Sequence, residues 1–439
     1  MPISQKEFQQ RRQDLMNHME PNSIAILASA NTFLRNGDSE YRFRQSSDLY
    51  YLSGFAEPQS VLVLVPGREQ GQCLLFCQEK DPLKELWNGI LLGPEAAISE
   101  LGMDDAFPIA DIDDILPGLI EGRERVYYAM GKDESFDHRV MEWVKVIRKK
   151  VRSGAHSPGE FLVLDHLLHE MRLIKSKAEL DLLRESGQIA VRAHKRAMQV
   201  TRPAMNEYEV EAEFMHEFFR SGCRAPAYTS IVAGGKNACI LHYNENNQIL
   251  NDGDLLLIDA GCELDHYASD ITRTFPVNGK FSPEQKAIYE LVLKAQLEAI
   301  EQVKPGNHWD DPHNTTVKVL TKGLIELGLL KGTLDECIEN GSYRDFYMHR
   351  AGHWLGMDVH DVGDYKIEGK WRELETGMVM TVEPGLYISP NNTAVEARWR
   401  GIGVRIEDDV AVTRTGYEVL TSGLPKTVEE IETFMAAAR

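Results

Sequence analysis

Residues 252–275 constrain this chain more than any other stretch. They read Asp-Gly-Asp-Leu-Leu-Leu-Ile-Asp-Ala-Gly-Cys-Glu-Leu-Asp-His-Tyr-Ala-Ser-Asp-Ile-Thr-Arg-Thr-Phe. The apolar run 255–258 suggests a strand buried on both faces. It ends in a carboxylate, Asp259, followed at once by Gly261. A second strand-like segment, 267–275, carries Asp270 near its start. A tight turn between Leu264 and Asp265 would fold these into a hairpin with Asp259 and Asp270 directly opposed, their Cβ atoms roughly 4.5–5.5 Å apart. Like charges so placed repel, and a divalent cation held by carboxylate oxygens resolves the conflict. For these two residues alone, a pair of solvated hairpin aspartates is the competing reading.

With 439 residues the chain has room for two or three domains, each with its own core. A net charge of −20 argues against a nucleic-acid partner, whose phosphates it would repel. The six cysteines show no zinc-type CxxC pairing and fit a reducing compartment. A polar, helix-like N-terminus reads as no signal peptide, and no apolar run approaches the ~18 residues of a membrane span. The expectation is a cytoplasmic protein with no membrane partner.

The N-terminal part alternates strands with helices. Residues 4–19 read as a helix with Phe8, Leu15 and Met16 turned inward. Residues 23–28, 49–52, 61–65, 73–77 and 126–129 read as strands, and 81–88 and 135–150 as helices. This predicts an α/β domain with a mixed sheet over residues 1–172. Residues 152–159 are turn-rich and read as a linker, with 161–174 as the connection onward. Beyond it, capping-box signals at Ser176/Glu179 and Asn206/Glu209 open helices, Ser282-Pro283-Glu284-Gln285 opens another, and 315–329 reads as a fourth. Strand candidates lie at 228–233, 255–275, 378–388 and 402–413.

Downstream of the aspartates, His349, His353 and His360 fall within a dozen residues, among Gly352, Gly356 and Gly363. Thr381-Val382-Glu383-Pro384-Gly385 is a strand ending in a carboxylate before a turn. In Gly403-Val404-Arg405-Ile406-Glu407 the period of two places Arg405 and Glu407 on one face. Taken together, Asp259, Asp270, His353, Glu383 and Glu407 supply four carboxylates and one imidazole from separate segments. Such an oxygen-rich set suits two divalent metals, which offset the negative charge and lower the pKa of a shared water.

These five positions resemble the dinuclear metal signature of the pita-bread metallopeptidases. The quoted motifs are Ile258-Asp259-Ala260-Gly261, Ser269-Asp270-Ile271-Thr272-Arg273-Thr274, the His353 segment, Thr381-Val382-Glu383-Pro384-Gly385 and Arg405-Ile406-Glu407-Asp408. Ile240-Leu241-His242-Tyr243 and His349-x-x-x-His353-Trp354-Leu355-Gly356 are similar to the proline-specific branch. Asp38-Ser39-Glu40-Tyr41, Arg44-Gln45-Ser46-Ser47-Asp48 and Gly54-Phe55-x-Glu57-Pro58 resemble its aminopeptidase P members more than prolidase.

The resemblance covers essentially the whole chain. It implies an α/β N-terminal domain (1–172) that shapes the substrate cleft and serves oligomerisation. It also implies a pita-bread catalytic domain (173–439), α+β with a curved, antiparallel-rich sheet. The implied reaction releases an N-terminal residue from peptides with proline second. Prolidase action on Xaa-Pro dipeptides, an inactive pita-bread binding protein and metal-free creatinase-like chemistry are the alternatives. By resemblance Asp270 and Glu407 bridge two metal ions, of which manganese is the branch's usual metal. Glu383 is both ligand and general base. His242 and His360 stabilise the tetrahedral intermediate and orient the carbonyl. Arg405 holds Glu407 or a neighbouring carboxylate, and His349 and Tyr228 line the substrate cleft. A homotetramer or homodimer is implied.

Overall fold

The computed structural model describes residues 3–438. They form two compact units, Ile3–Met171 and one that begins at Arg172. The first is built on a six-stranded mixed sheet in the order Asp105–Pro108, Cys73–Cys77, Val61–Leu64, Ser23–Ala28, Arg125–Tyr128, Glu160–Val163. Ser23–Ala28 runs antiparallel to Val61–Leu64 and parallel to Arg125–Tyr128. The inner strands read Val-Leu-Val-Leu and Cys-Leu-Leu-Phe-Cys and are buried along their whole length, as unbroken apolar runs require. Ile24, Ile26, Val63, Leu74, Phe76 and Val126 pack there with Leu116, Val140, Trp143 and Ile147 from helices Ile112–Ile120 and Glu134–Lys149. Phe8, Leu15 and Met16 are buried, as the helical spacing anticipates.

Two sequence expectations fail in this unit. Residues 49–52 are not a strand but part of the helix Ser47–Ser53. Gly54 ends that helix in a left-handed conformation, and its N–H returns to Tyr50 O. Residues 152–159 are not an interdomain linker. They lead into the edge strand Glu160–Val163, which completes the sheet beside Arg125–Tyr128.

In the second unit every ladder among the described residues is antiparallel. Helices Lys177–Val200, Glu207–Arg220 and Pro283–Ile300 start at the capping boxes read from sequence. The fourth begins earlier than expected, as Asp311–Glu326, because Pro312 sits in its first turn where a missing N–H does no harm. One apolar core joins Ile189, Phe214 and Phe218 of the helices to Leu256, Ile258 and Phe275 of the strands and to Val404 and Ile406. The strands are thereby clamped from behind, and their polar ends turn to the opposite side. No helix among the described residues is long and apolar enough to cross a membrane.

Candidate metal centre

Strand Leu255–Asp259 pairs with Thr272–Pro276, and Asp259 stands opposite Thr272. The expected opposition of Asp259 and Asp270 is therefore wrong. The turn lies one residue further on, at Asp265-His266, both with positive φ (47° and 68°) as a two-residue hairpin loop demands. Asp270 then falls beside Gly261, where the crossing is so close that a Cβ on Gly261 would collide with the Ser269 carbonyl. Asp270 still reaches Asp259, through Tyr228. The Tyr228 hydroxyl lies 2.5 Å from Asp259 Oδ1 and 2.5 Å from Asp270 Oδ1.

Glu383 and Glu407 share one architectural device. Val379–Val382 pairs with Asp408–Val412, ending at Val382 opposite Asp408, and Gly385–Tyr387 pairs with Gly403–Arg405, starting at Gly385 opposite Arg405. The gap between these two ladders holds Glu383 on one side and Glu407 on the other. The His353 segment lies along Val379–Val382: Thr381 N–H donates to His353 O at 2.9 Å, and Glu383 N–H donates to Ala351 O at 2.8 Å. Gly352 permits that approach, since a Cβ there would strike the Thr381 carbonyl. His353 Nδ1 sits 2.9 Å from Trp354 O, so that nitrogen carries the proton. Nε2 is thereby the nitrogen that faces Asp270 Oδ2 (3.4 Å) and Glu383 Oε1 (3.8 Å), where a bound cation would take the place of its proton.

One ligand atom each from Asp270, His353 and Glu407 lies within 4.8 Å of the others. Asp259 is fixed beside them by Arg405, whose Nη2 donates to Oδ2 at 2.6 Å. Arg405 Nη1 donates to the Tyr387 hydroxyl at 2.9 Å, and its Nε to Thr272 Oγ1 at 3.2 Å. Thr272 in turn donates to Glu407 Oε2 at 2.6 Å. One guanidinium thus orients two of the acids, one directly and one through a hydroxyl.

The electrostatics ask for added positive charge. Burial first, then Asp259, pushes the Asp270 carboxyl upward; burial and Asp270 push Glu407 well upward. Burial lifts Glu383 to about 7. Burial opposes charge on His353, yet the hydrogen bond to Asp270 and the field of Glu383 raise it to about 9. Tyr228 has a single proton for two carboxylates. A donor set of four carboxylates and one imidazole on one cavity, the carboxylates repelling one another, fits divalent cations.

The cavity is about 480 Å³ and is lined by all five of these residues together with Tyr228, His242, His349, His360, Arg350 and Arg405. His360 meets the His353 ring edge to face, 4.4 Å between centroids. Burial, then the His353 and His242 charges, lower His360. Burial, then Arg405, lowers His349 to about 4, and its Nε2 lies 2.9 Å from the Tyr387 hydroxyl. Every residue singled out from the sequence is in this cavity. Thr272 and Tyr387 were missed as site residues, as were two supports behind the acids. Arg273 donates to Glu407 O (2.6 Å) and to Asp408 Oδ1 (2.8 Å), and Asp409 Oδ2 accepts the Asp270 N–H (3.1 Å). Three consecutive polar residues, Thr272, Arg273 and Thr274, opening a strand that is buried along its whole length, were the available signal.

The sequence profile of metallopeptidase family M24 matches residues 181–414, more than half of the chain. The chain belongs to metallopeptidase family M24. The profile of the aminopeptidase P N-terminal domain matches residues 8–127. Among M24-type relatives, the Xaa-Pro aminopeptidase of Escherichia coli K12 is 46% identical over 438 residues, covering 100% of this chain and 99% of its own. That of Haemophilus influenzae is 46% identical over 433 residues, covering 99% and 98%. The solved structure of Pseudomonas aeruginosa aminopeptidase PepP superposes with a TM-score of 0.99 at 61% identity, covering 100% of this chain and 99% of that one. Zinc-substituted E. coli aminopeptidase P with product superposes at 0.97, with 46% identity and complete coverage of both chains.

Proposed function

We infer that this M24 chain is a metal-dependent Xaa-Pro aminopeptidase, releasing the N-terminal residue from peptides with proline in second position. The observation that carries it is the complete donor set, Asp259, Asp270, His353, Glu383 and Glu407, on one cavity of a chain that matches Xaa-Pro aminopeptidases end to end. These residues would hold two divalent ions, manganese by preference. Such ions supply Lewis-acid polarisation of the scissile carbonyl and a water activated at neutral pH. Glu383, a carboxylate on the cavity among the other donors, would accept a proton from water and hand it to the departing proline nitrogen. Tyr228 and Arg405 hold Asp259 in place. His360 and His242 on the cavity wall orient the substrate carbonyl and donate to the developing oxyanion. His349, tied to Tyr387, lines the substrate cleft.

The test is kcat/KM on Ala-Pro-Ala, Ala-Pro and Ala-Ala-Ala with manganese present. The tripeptide with proline is the preferred substrate and the alanine peptide a poor one. A preference for the dipeptide would make the protein a prolidase, and no cleavage at all would leave a binding protein. Self-association accompanies this reading. Helix Pro82–Asn88 buries none of its residues, and Leu83, Leu86, Trp87 and Ile90 are 72–87% exposed, an apolar surface suited to a second copy. A cytoplasmic location is supported by six free cysteines.

A further inference from the structure

Arg350 stands on the wall of the metal cavity without touching any of the five donor residues' side chains in the contacts described above, and the chemistry just outlined does not use it. Its side chain is 48% exposed, yet it is held. One guanidinium nitrogen, Nη1, donates to Asp310 Oδ1 at 2.5 Å, and the guanidinium carbon lies 4.6 Å from the centre of the Trp371 ring. Lys366 Nζ lies 4.1 Å from the same ring centre. Asp310 offsets one of these two cations, and the half-exposed guanidinium belongs to a residue of the cavity lining. In a chain of net charge −20 this is a local patch of the opposite sign.

Its position relative to the reacting bond follows from His349. His349 Nδ1 is 2.6 Å from the Arg350 carbonyl oxygen and 3.9 Å from Glu383 Oε2. The Arg350 backbone therefore lies beside His349 and Glu383, and its side chain, anchored at Asp310 and Trp371, lines the same cavity as Glu383. In the aminopeptidase reading, on which this step rests, that is where the departing proline nitrogen is protonated. A cation there repels the substrate's own ammonium group and so favours binding with the N-terminus away from it. The chain beyond proline then runs past the guanidinium.

We propose that Arg350 is a specificity-determining residue that favours substrates carrying an acidic side chain on the residue just after proline.

The test uses the metal-loaded full chain and three amidated peptides, Ala-Pro-Glu-NH2, Ala-Pro-Gln-NH2 and Ala-Pro-Lys-NH2, so that only the third side chain changes charge. Ratios of kcat/KM within each protein remove differences in absolute activity. The wild-type chain should prefer Glu over Lys by about two- to five-fold at low ionic strength, the range of a half-exposed ion pair. The preference should lie mainly in KM, because the contact is remote from the broken bond, and should shrink as salt rises. In Arg350→Gln the ratio should fall to near one, and in Arg350→Glu it should invert. A wild-type ratio of one, or a ratio unchanged in Arg350→Gln, overturns the proposal while leaving the aminopeptidase reading intact. Failure to cut Ala-Pro-Gln-NH2 overturns both.

Discussion

Glu383 and His353 lie 3.8 Å apart on adjacent segments, yet their chemistry separates them cleanly. His353 presents one nitrogen, because its other is committed to Trp354 O, and alanine leaves nothing in its place. Glu383 offers two oxygens, so that it can face a cation and still accept a proton. In Glu383→Gln a carbonyl oxygen remains to face a cation while the proton acceptor is gone. The expected outcome is metal content near wild type with kcat lowered by roughly 10²-fold or more. His353→Ala should instead lose metal, read by elemental analysis of the purified protein, with activity falling in proportion. Near-normal kcat in the glutamine variant would remove Glu383 from the proton path, and full metal occupancy in the alanine variant would remove His353 from the donor set.

At the scale of elements, the site depends on how closely neighbouring segments run, and Gly352, like Gly261, is one of its tightest points. A methyl group there meets the Thr381 backbone, so Gly352→Ala must push the His353 segment off the strand that ends at Glu383. The expected loss is on the order of 3 kcal/mol in denaturant unfolding, with a drop in activity larger than the unfolded fraction explains. A stable, fully active variant would contradict this packing. A second element is testable through pH. Asp133 caps helix Glu134–Lys149, accepting from the Ser135 and Phe136 N–H groups. Hydrogen bonds from Ser135 and Asn31 hold its carboxyl down at about 2. Its folded pKa is depressed, so its contribution is present above the ordinary carboxylate value and is lost as pH falls towards 2. Asp133→Asn should therefore destabilise at pH 7, by less than ~1 kcal/mol since the group is exposed, and the difference from wild type should close below about pH 4. A difference that is constant with pH would assign the effect to packing. Asp259 and Glu383 were legible in the sequence because each ends a short apolar run before a turn, and Glu407 because it closes an alternating segment. Asp270 and His353 were legible because one stands near the start of the returning strand and the other in a stretch dense in histidine and glycine. The hairpin register was not, because its turn uses Asp265-His266 rather than a glycine-bearing pair. The strand assigned to 49–52 failed because a four-residue apolar run has no period to read. Thr272 and Arg405 owe their roles to partners more than 130 positions away, Glu407 and Asp259, which local pattern cannot supply.

For the molecule as a whole, the metal centre links stability to both metal and protons. Without cations, folding must bury Asp270, Glu407 and Glu383 against each other, and their carboxyls are displaced upward, Glu383 to about 7. A carboxyl whose folded pKa is raised binds more protons in the native than in the unfolded chain. Its penalty is absent at low pH and grows as pH rises from the ordinary carboxylate range through the folded value. His353, raised to about 9, acts in the same direction, since its stabilising charge is lost as pH climbs through that value. Bound cations reverse the trend, because they favour the deprotonated donors and compete with protons for them. Chelation should therefore lower Tm by scanning calorimetry, and by more at pH 8 than at pH 6. Added manganese should restore it, with a gain of about 2.7 kcal/mol per site when the free ion stands at 100 Kd. The comparison requires protein shown to be metal-free by elemental analysis. An unchanged Tm at both pH values would mean that the acids are already balanced by the protein itself, and the cavity would then not be a metal centre.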